Sequence, residues 1–270
     1  MKAVRALHKI LSYYFPWNKS RIDCLVKLIF AILTVQTVNL STVANIFYGE
    51  ALTESHYKRL QRFFRWLKPL ERKIQTFLAN LILSMLGFPE TGALLYLALD
   101  RTNWKFGKIH INLLVLGVRY HGVNIPLAWT SLGRAGNSNT FERISLMKRL
   151  IKCLGKRSFV LTADREFIGE EWFLFLSKNQ IPFVIRIKAN THVRRRGCHH
   201  SIPAAQLCKR LKKRGRKSFE DLYEVFGVAV FIAASRNREG ELLIVVSNQF
   251  QSKALKEYLK RWGIECFFPV

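Results

Sequence analysis

The chain has 270 residues, 49% of them hydrophobic, which suffices to fill one large core or two smaller ones and sets aside a disordered chain. Lys and Arg number 44 against 18 Asp and Glu, a net charge of +26. So basic a balance points to a polyanion. Nucleic acid is the commonest, because cations that neutralise its phosphates release counterions, and the alternative is a basic protein that only associates loosely with it.

Residues 1 to about 90 read as helical, in long apolar-periodic runs broken by polar turns. The run CLVKLIFAILTVQTV is too short to span a bilayer comfortably and carries Lys27, and the stretch from Ile74 to Leu86 is also short, so buried helices are expected and no transmembrane helix. Within NLSTVANIFYGEALTESHYKRLQRFFRWL, Ser41 is the expected N-cap of a short helix. A turn at Tyr48-Gly49-Glu50 then leads into a basic aromatic helix with His56, Tyr57, Lys58, Arg59, Arg62 and Arg65. Two readings stand for this pair: a helix-turn-helix whose second helix enters a DNA major groove, or a scaffold hairpin with a basic outer face.

Strand patterning begins near residue 92. ALLYLALD is an apolar run ending in Asp100, and KIHINLLVLGVRY and NIPLAWTSL follow through short polar links, as in an antiparallel meander. After the loop GRAGNSNT, Asn139 and Glu142 form a capping box for TFERISLMKRLIKCL, which Gly155 closes. SFVLTA runs into Asp164, EEWFLFLSKN reads as a helix, and PFVIRIK is a fifth strand. From about Ala189 to Phe250 the pattern is interrupted by a basic insertion. It contains RRR and KRLKKRGRK (Lys209, Arg210, Lys212, Lys213, Arg214), and then a β-hairpin made of YEVFGVAVFIAAS and ELLIVVS. A terminal helix carries Tyr258, Arg261 and Glu265 on one side, beside a stripe of Leu255, Leu259, Trp262 and Cys266.

In a chain so poor in acids, their placement is informative. Asp100 is read as closing the first strand and Asp164 the fourth, so both meet at one sheet edge if those strands are neighbours, with Glu265 as a third carboxylate. Three converging carboxylates repel one another unless cations are present, and two divalent metal ions are the natural answer.

LALDRTNW, LTADREF and YLKRWGIE, in this order of elements, resemble the DDE transposases of bacterial insertion sequences, in particular the insertion-sequence-four family with its ribonuclease-H-like catalytic core. The resemblance runs from about residue 40 to the end. Tyr258, Arg261 and Glu265 match the family signature Y-x-x-R-x-x-x-E, and Asp100 and Asp164 match its two aspartates. The signature lysine falls seven residues after Glu265, beyond Val270, so the resemblance implies a shortened final helix.

The resemblance implies a mixed α/β (α+β) fold: a helical DNA-binding region over 1–90, then a catalytic domain over 91–270 with the insertion at about 189–250. Asp100, Asp164 and Glu265 become the metal-binding catalytic residues, with two Mg²⁺ or Mn²⁺ ions. Tyr258 and Arg261, Lys58, Arg59 and Arg62, and the Lys209–Arg214 run become DNA contacts. The implied partners are double-stranded DNA at transposon ends and target, and a second copy of the chain, in a bacterial cytoplasm at the nucleoid and away from any membrane. A DNA-binding remnant without activity, and a ribonuclease-H-like nuclease, are the alternatives.

Several smaller features have plainer readings. Cys198-His199-His200 with Cys208 lacks the spacing of common structural zinc sites. Five scattered cysteines (Cys24, Cys153, Cys198, Cys208, Cys266) with no secretory leader are expected to be reduced thiols. Trp104 and Trp172, each just after one of the aspartates, have two readings, contact with DNA or packing at the core or its rim, and packing is the expected one.

Overall fold

The computed structural model describes residues 2–47, 49–89, 91–106, 109–249 and 253–259. The chain divides into two compact units, Met1–Ile82 and Leu83–Val270.

The first unit is helical: α1 (Lys2–Tyr14), α2 (Lys19–Val35), α3 (Leu40–Asn45), α4 (Thr53–Leu67), a 3-10 turn (Lys68–Leu70) and the start of α5 (Glu71–Met85). α2 carries apolar residues on two sides because each side packs into its own cluster. Cys24, Leu28 and Ala31 pack with Val43, Ala44, Phe47, Leu60 and Phe63 of the α3–α4 region, while Ile22 and Val26 pack with Leu11, Phe15 and Leu81. Lys27 is tied to Asp23 one turn away at 3.3 Å. The expected cap of α3 is corrected: Asn39, not Ser41, is the N-cap, its Oδ1 accepting from the N–H groups of Ser41 and Thr42. Among the described residues no helix is long and apolar enough to cross a membrane.

The second unit is built on one mixed sheet. β1 (Leu94–Phe106), β2 (Ile109–Tyr120) and β3 (Val123–Ser131) form the antiparallel meander. After α6 (Thr140–Leu154), β4 (Ser158–Ala163) pairs parallel to β1, and after α7 (Glu170–Lys178), β5 (Phe183–Ile187) pairs parallel to β4. The order β3-β2-β1-β4-β5 is that of a ribonuclease-H-like core. Pro126 is accommodated because β3 is the edge strand. The capping box forms as read: Glu142 N–H donates to Asn139 Oδ1 at 2.9 Å, and Asn139 N–H to Glu142 Oε2 at 2.8 Å.

Two expectations change. Asp100 does not end its strand, because β1 continues to Phe106 in antiparallel pairing with β2, whereas β4 stops pairing with β1 at Leu99↔Ala163. The expected hairpin forms, Phe231–Arg236 pairing antiparallel with Leu242–Ser247, but the basic segment that leads into it is not plain loop. It holds β6 (His192–Arg195), β7 (Ser201–Pro203), α8 (Ala204–Leu207), β8 (Arg216–Ser218) and β9 (Tyr223–Val225), followed by β10 (Val228–Arg236) and β11 (Leu242–Ser247). β11 pairs directly with β5, so the insertion prolongs the central sheet. YEVFGVAVFIAAS is two strands, turned at Phe226 and Gly227, whose φ values are 50° and 72°.

Strand alternation gives the sheet two apolar faces. On one, Val160, Val184, Ala233 and Val245 receive Ala254, Leu255 and Tyr258 of α9 (Ala254–Leu259). On the other, Phe183 meets Phe173 of α7 with ring centroids 5.2 Å apart.

Candidate active site

Parallel pairing of β1 with β4 puts Leu99 opposite Ala163, so Asp100 and Asp164 are each the next residue along adjacent central strands. The two carboxylates thus stand at one level, on the face that receives α9. Both are half-buried. Each accepts the N–H of the residue after it, from Arg101 at 2.8 Å and from Arg165 at 2.7 Å. Tyr258 of α9 donates its hydroxyl to Asp164 Oδ1 at 3.3 Å, and Arg186 of β5 brings Nη1 within 3.7 Å of the same oxygen. Tyr258, expected as a DNA contact, is buried in this structure. Glu265 and Arg261, with Trp262 and Cys266, lie outside the described residues.

A layer of arginines, which the sequence reading missed, ties together the segments that follow the two aspartates. Arg101, next to Asp100, forks onto Glu166, two residues past Asp164, at 3.3 and 3.4 Å. Its Nη1 also donates to Asn112 Oδ1 at 3.3 Å, and Asn112 Nδ2 donates to the carbonyls of Arg134 and Gly136, both at 2.8 Å. These three partners fix the orientation of the Asn112 amide.

Arg143 is only 5% exposed. It donates to Ser138 Oγ and to the carbonyls of Ser138, Glu166 and Ile168, and its guanidinium lies 5.4 Å from the Phe167 ring centroid. Burial pushes its pKa down and the fields of Glu166 and Glu142 oppose that shift, so it remains a cation. Its signal was present in the sequence: Arg143 sits three, four and seven residues before Leu146, Met147 and Leu150, on the core stripe of α6. A cation on such a stripe needs partners.

Two regions carry the expected DNA contacts. On α4, Arg59 is held by Asp23 Oδ2 at 3.1 Å and by the Ser20 carbonyl, whereas Lys58 pairs with exposed Glu54 and Arg62 donates to the Lys58 carbonyl. In the second unit Lys209, Arg210, Lys212, Lys213 and Arg214 are exposed between α8 and β8. Arg236 pins that loop by donating to the carbonyls of Cys208, Leu211 and Gly240. A groove of about 510 Å³ is lined by Arg186, Arg214, Arg216 and Arg238 together with Leu255 and Leu259 of α9, so basic side chains continue from the Asp164 neighbour into the insertion.

Cys198 is exposed and Cys208 buried, and among the described residues no group of three or more His, Cys, Asp or Glu side chains gathers as a metal cluster.

No curated protein matches the chain. Among solved structures, the chain is similar to a piggyBac transposase in a synaptic complex with hairpin DNA, with 13% identity and a TM-score of 0.47 over 92% of this chain, and it spans 57% of that chain's length. It is also similar to an endonuclease V from Bacillus subtilis, with 10% identity and a TM-score of 0.29 over 62% of this chain and 70% of the other. The Transposase DDE domain family matches residues 97–269, a span that contains both aspartates, the arginine layer and the basic insertion. The chain belongs to the DDE transposase domain family.

Proposed function

We propose that this chain is the transposase of a bacterial insertion sequence of the insertion-sequence-four kind, which cleaves double-stranded DNA at the element's ends and joins the freed 3′-hydroxyl to target DNA. The observation that carries this reading is the level placement of Asp100 and Asp164 on β1 and β4, with α9 docked so that Tyr258 reaches Asp164. Glu265 follows Tyr258 by seven residues, the spacing of two helical turns, and is proposed as the third carboxylate.

Two half-buried carboxylates side by side suit a hard divalent cation, which one or two carboxylates and substrate phosphate oxygens usually hold. Asp100, Asp164 and Glu265 would hold Mg²⁺ or Mn²⁺, two ions in all, and the ions would stabilise the attacking and leaving oxygens. The rest is done by the chain itself. Arg186 places positive charge beside Asp164, where a scissile phosphate needs it. Arg214, Arg216 and Arg238 line a path for the flanking phosphodiester backbone. Arg101, Glu166 and Arg143 brace the segments that follow the two aspartates.

In this reading residues 1–90 bind the element's ends through α3 and α4, with Lys58 and Arg62 outward and Arg59 partly committed to Asp23. Two copies of the chain work on two ends. The protein acts at the nucleoid of the bacterial cytoplasm.

The test is a joining assay with labelled duplexes carrying the terminal inverted repeats that flank the gene, plus a target plasmid and Mg²⁺ or Mn²⁺. The reading expects end cleavage and labelled joint molecules, and neither with Asp164→Asn. Cleavage without joining would make the chain a nuclease. Binding with neither product would make it a DNA-binding remnant.

A further inference from the structure

β1 runs six residues past Asp100, and the outer part of that run has left the sheet. β4 pairs with β1 only as far as Leu99, and β3 pairs with β2 only from Leu113 onward. The Leu132 N–H still reaches the Asn112 carbonyl, so Trp104↔Ile111, Lys105↔His110 and Phe106↔Ile109 form a ribbon that, among the described residues, no third strand flanks.

Side chains alternate along a strand, so Asp100, Thr102 and Trp104 share one face of β1. Trp104 is 44% exposed and Ile109 is 66% exposed. Trp172, by contrast, is fully buried. At ~3.3 Å per residue Trp104 stands ~13 Å beyond Asp100, about four steps of stacked bases at ~3.4 Å each. A large indole left this far in water is a contact surface in waiting. The charge around it selects the partner: from Arg101 to Phe141 there is no Asp or Glu in the sequence, and the ribbon carries Lys105 and His110. Flat apolar faces joined to a polyanionic backbone describe nucleic acid better than they describe a protein surface.

We propose that the β1–β2 ribbon is a DNA-contacting finger, in which Trp104 stacks on a nucleobase about four base steps from the phosphate engaged at Asp100. This rests on the active-site reading above. An apolar side chain wedged at an interrupted base stack is a known way for proteins to grip DNA, and a cleaved end supplies such an interruption.

The experiment measures the affinity of the whole chain for a labelled blunt duplex of ~30 base pairs, about three helical turns, across a salt series from ~50 to ~200 mM. Trp104→Ala and Trp104→Phe are compared with the parent, with sedimentation as a second readout. Trp104→Ala is expected to weaken binding about 10-fold while leaving the salt slope unchanged, because an indole neutralises no phosphate. Trp104→Phe is expected to keep most of the affinity. Parental affinity in the Ala variant would overturn the finger alone. So would a loss that appears only as dissociation of a dimer, which would make the face a protein interface. If the parent itself failed to bind the duplex, the active-site reading would fall along with the finger.

Discussion

Arg143→Met is expected to loosen the turn that follows Asp164. In the parent the guanidinium satisfies four acceptors: Ser138 Oγ at 3.0 Å and the carbonyls of Ser138, Glu166 and Ile168 at 2.6, 3.1 and 3.2 Å. Methionine fills similar space and donates nothing. Four abandoned acceptors at ~1 kcal/mol apiece cost ~4 kcal/mol, inside the ~3–5 kcal/mol range for stripping one partner from a buried charged network. The second unit covers 188 residues (270 minus 82). For a body of that size ~1 kcal/mol moves Tm by ~2–4 °C, so a fall of ~8–16 °C is expected in a melt followed by circular dichroism. DNA cleavage should fall at least ~10-fold at temperatures where the variant is still folded, since misplacing a reacting group by ~1 Å can cost ~100-fold. Arg143→Lys should lie between the two, because one ammonium cannot serve both loops. A Tm within ~2 °C of the parent would refute the reasoning, for it would mean that water replaces the guanidinium at little cost.

Arg186→Ala should reduce cleavage more than it reduces DNA binding, because one cation beside Asp164 is lost from a surface rich in others; equal losses in both would place Arg186 in general backbone binding. Glu142 is held below the usual carboxylate range, chiefly by the Arg134 guanidinium, so its contribution to stability is present above that range and lost as pH falls through its lowered folded pKa. Urea melts of Glu142→Gln should therefore show a gap from the parent near pH 7 that narrows as pH falls below the usual carboxylate range, and a gap independent of pH would contradict this. Burial raises the thiol pKa of Cys24 and Cys208, whereas Cys198 is exposed, so iodoacetamide followed by peptide mapping should find Cys198 alkylated well before the other two.

Features set by local physics were legible in the sequence. β4 over Ser158–Ala163 and α6 with its Asn139/Glu142 box follow from apolar periodicity and from a capping pattern acting over three residues. Asp100 and Asp164 stood out because acids are scarce in this chain. What was missed depends on partners distant in sequence. The extension of β1 past Asp100 has no apolar run to mark it, since Arg101, Thr102 and Asn103 are polar and their pairing comes from β2. Phe226 hid a turn inside an apolar stretch because its φ of 50° is one that bulky residues rarely adopt. Asn39 displaced Ser41 as a cap because its amide oxygen reaches two N–H groups. The Arg101–Glu166 fork joins residues 65 positions apart, a distance at which no local pattern operates.

The central claim is that Asp100 and Asp164 form one site for metal-dependent DNA cleavage, and side-by-side measurement of cleavage and binding tests it most directly. Parent, Asp100→Asn and Asp164→Asn are each titrated with Mg²⁺ or Mn²⁺ on a labelled duplex, and the affinity for the same duplex is measured without metal. Each amide keeps the shape of the side chain and removes its charge. The account predicts metal-dependent cleavage by the parent, a loss of ~1000-fold or more in either variant, and DNA affinities within ~3-fold of the parent, because transition-state stabilisation by the site is removed while backbone contacts remain. Cleavage by either variant at the parental rate and the parental metal concentration would contradict it.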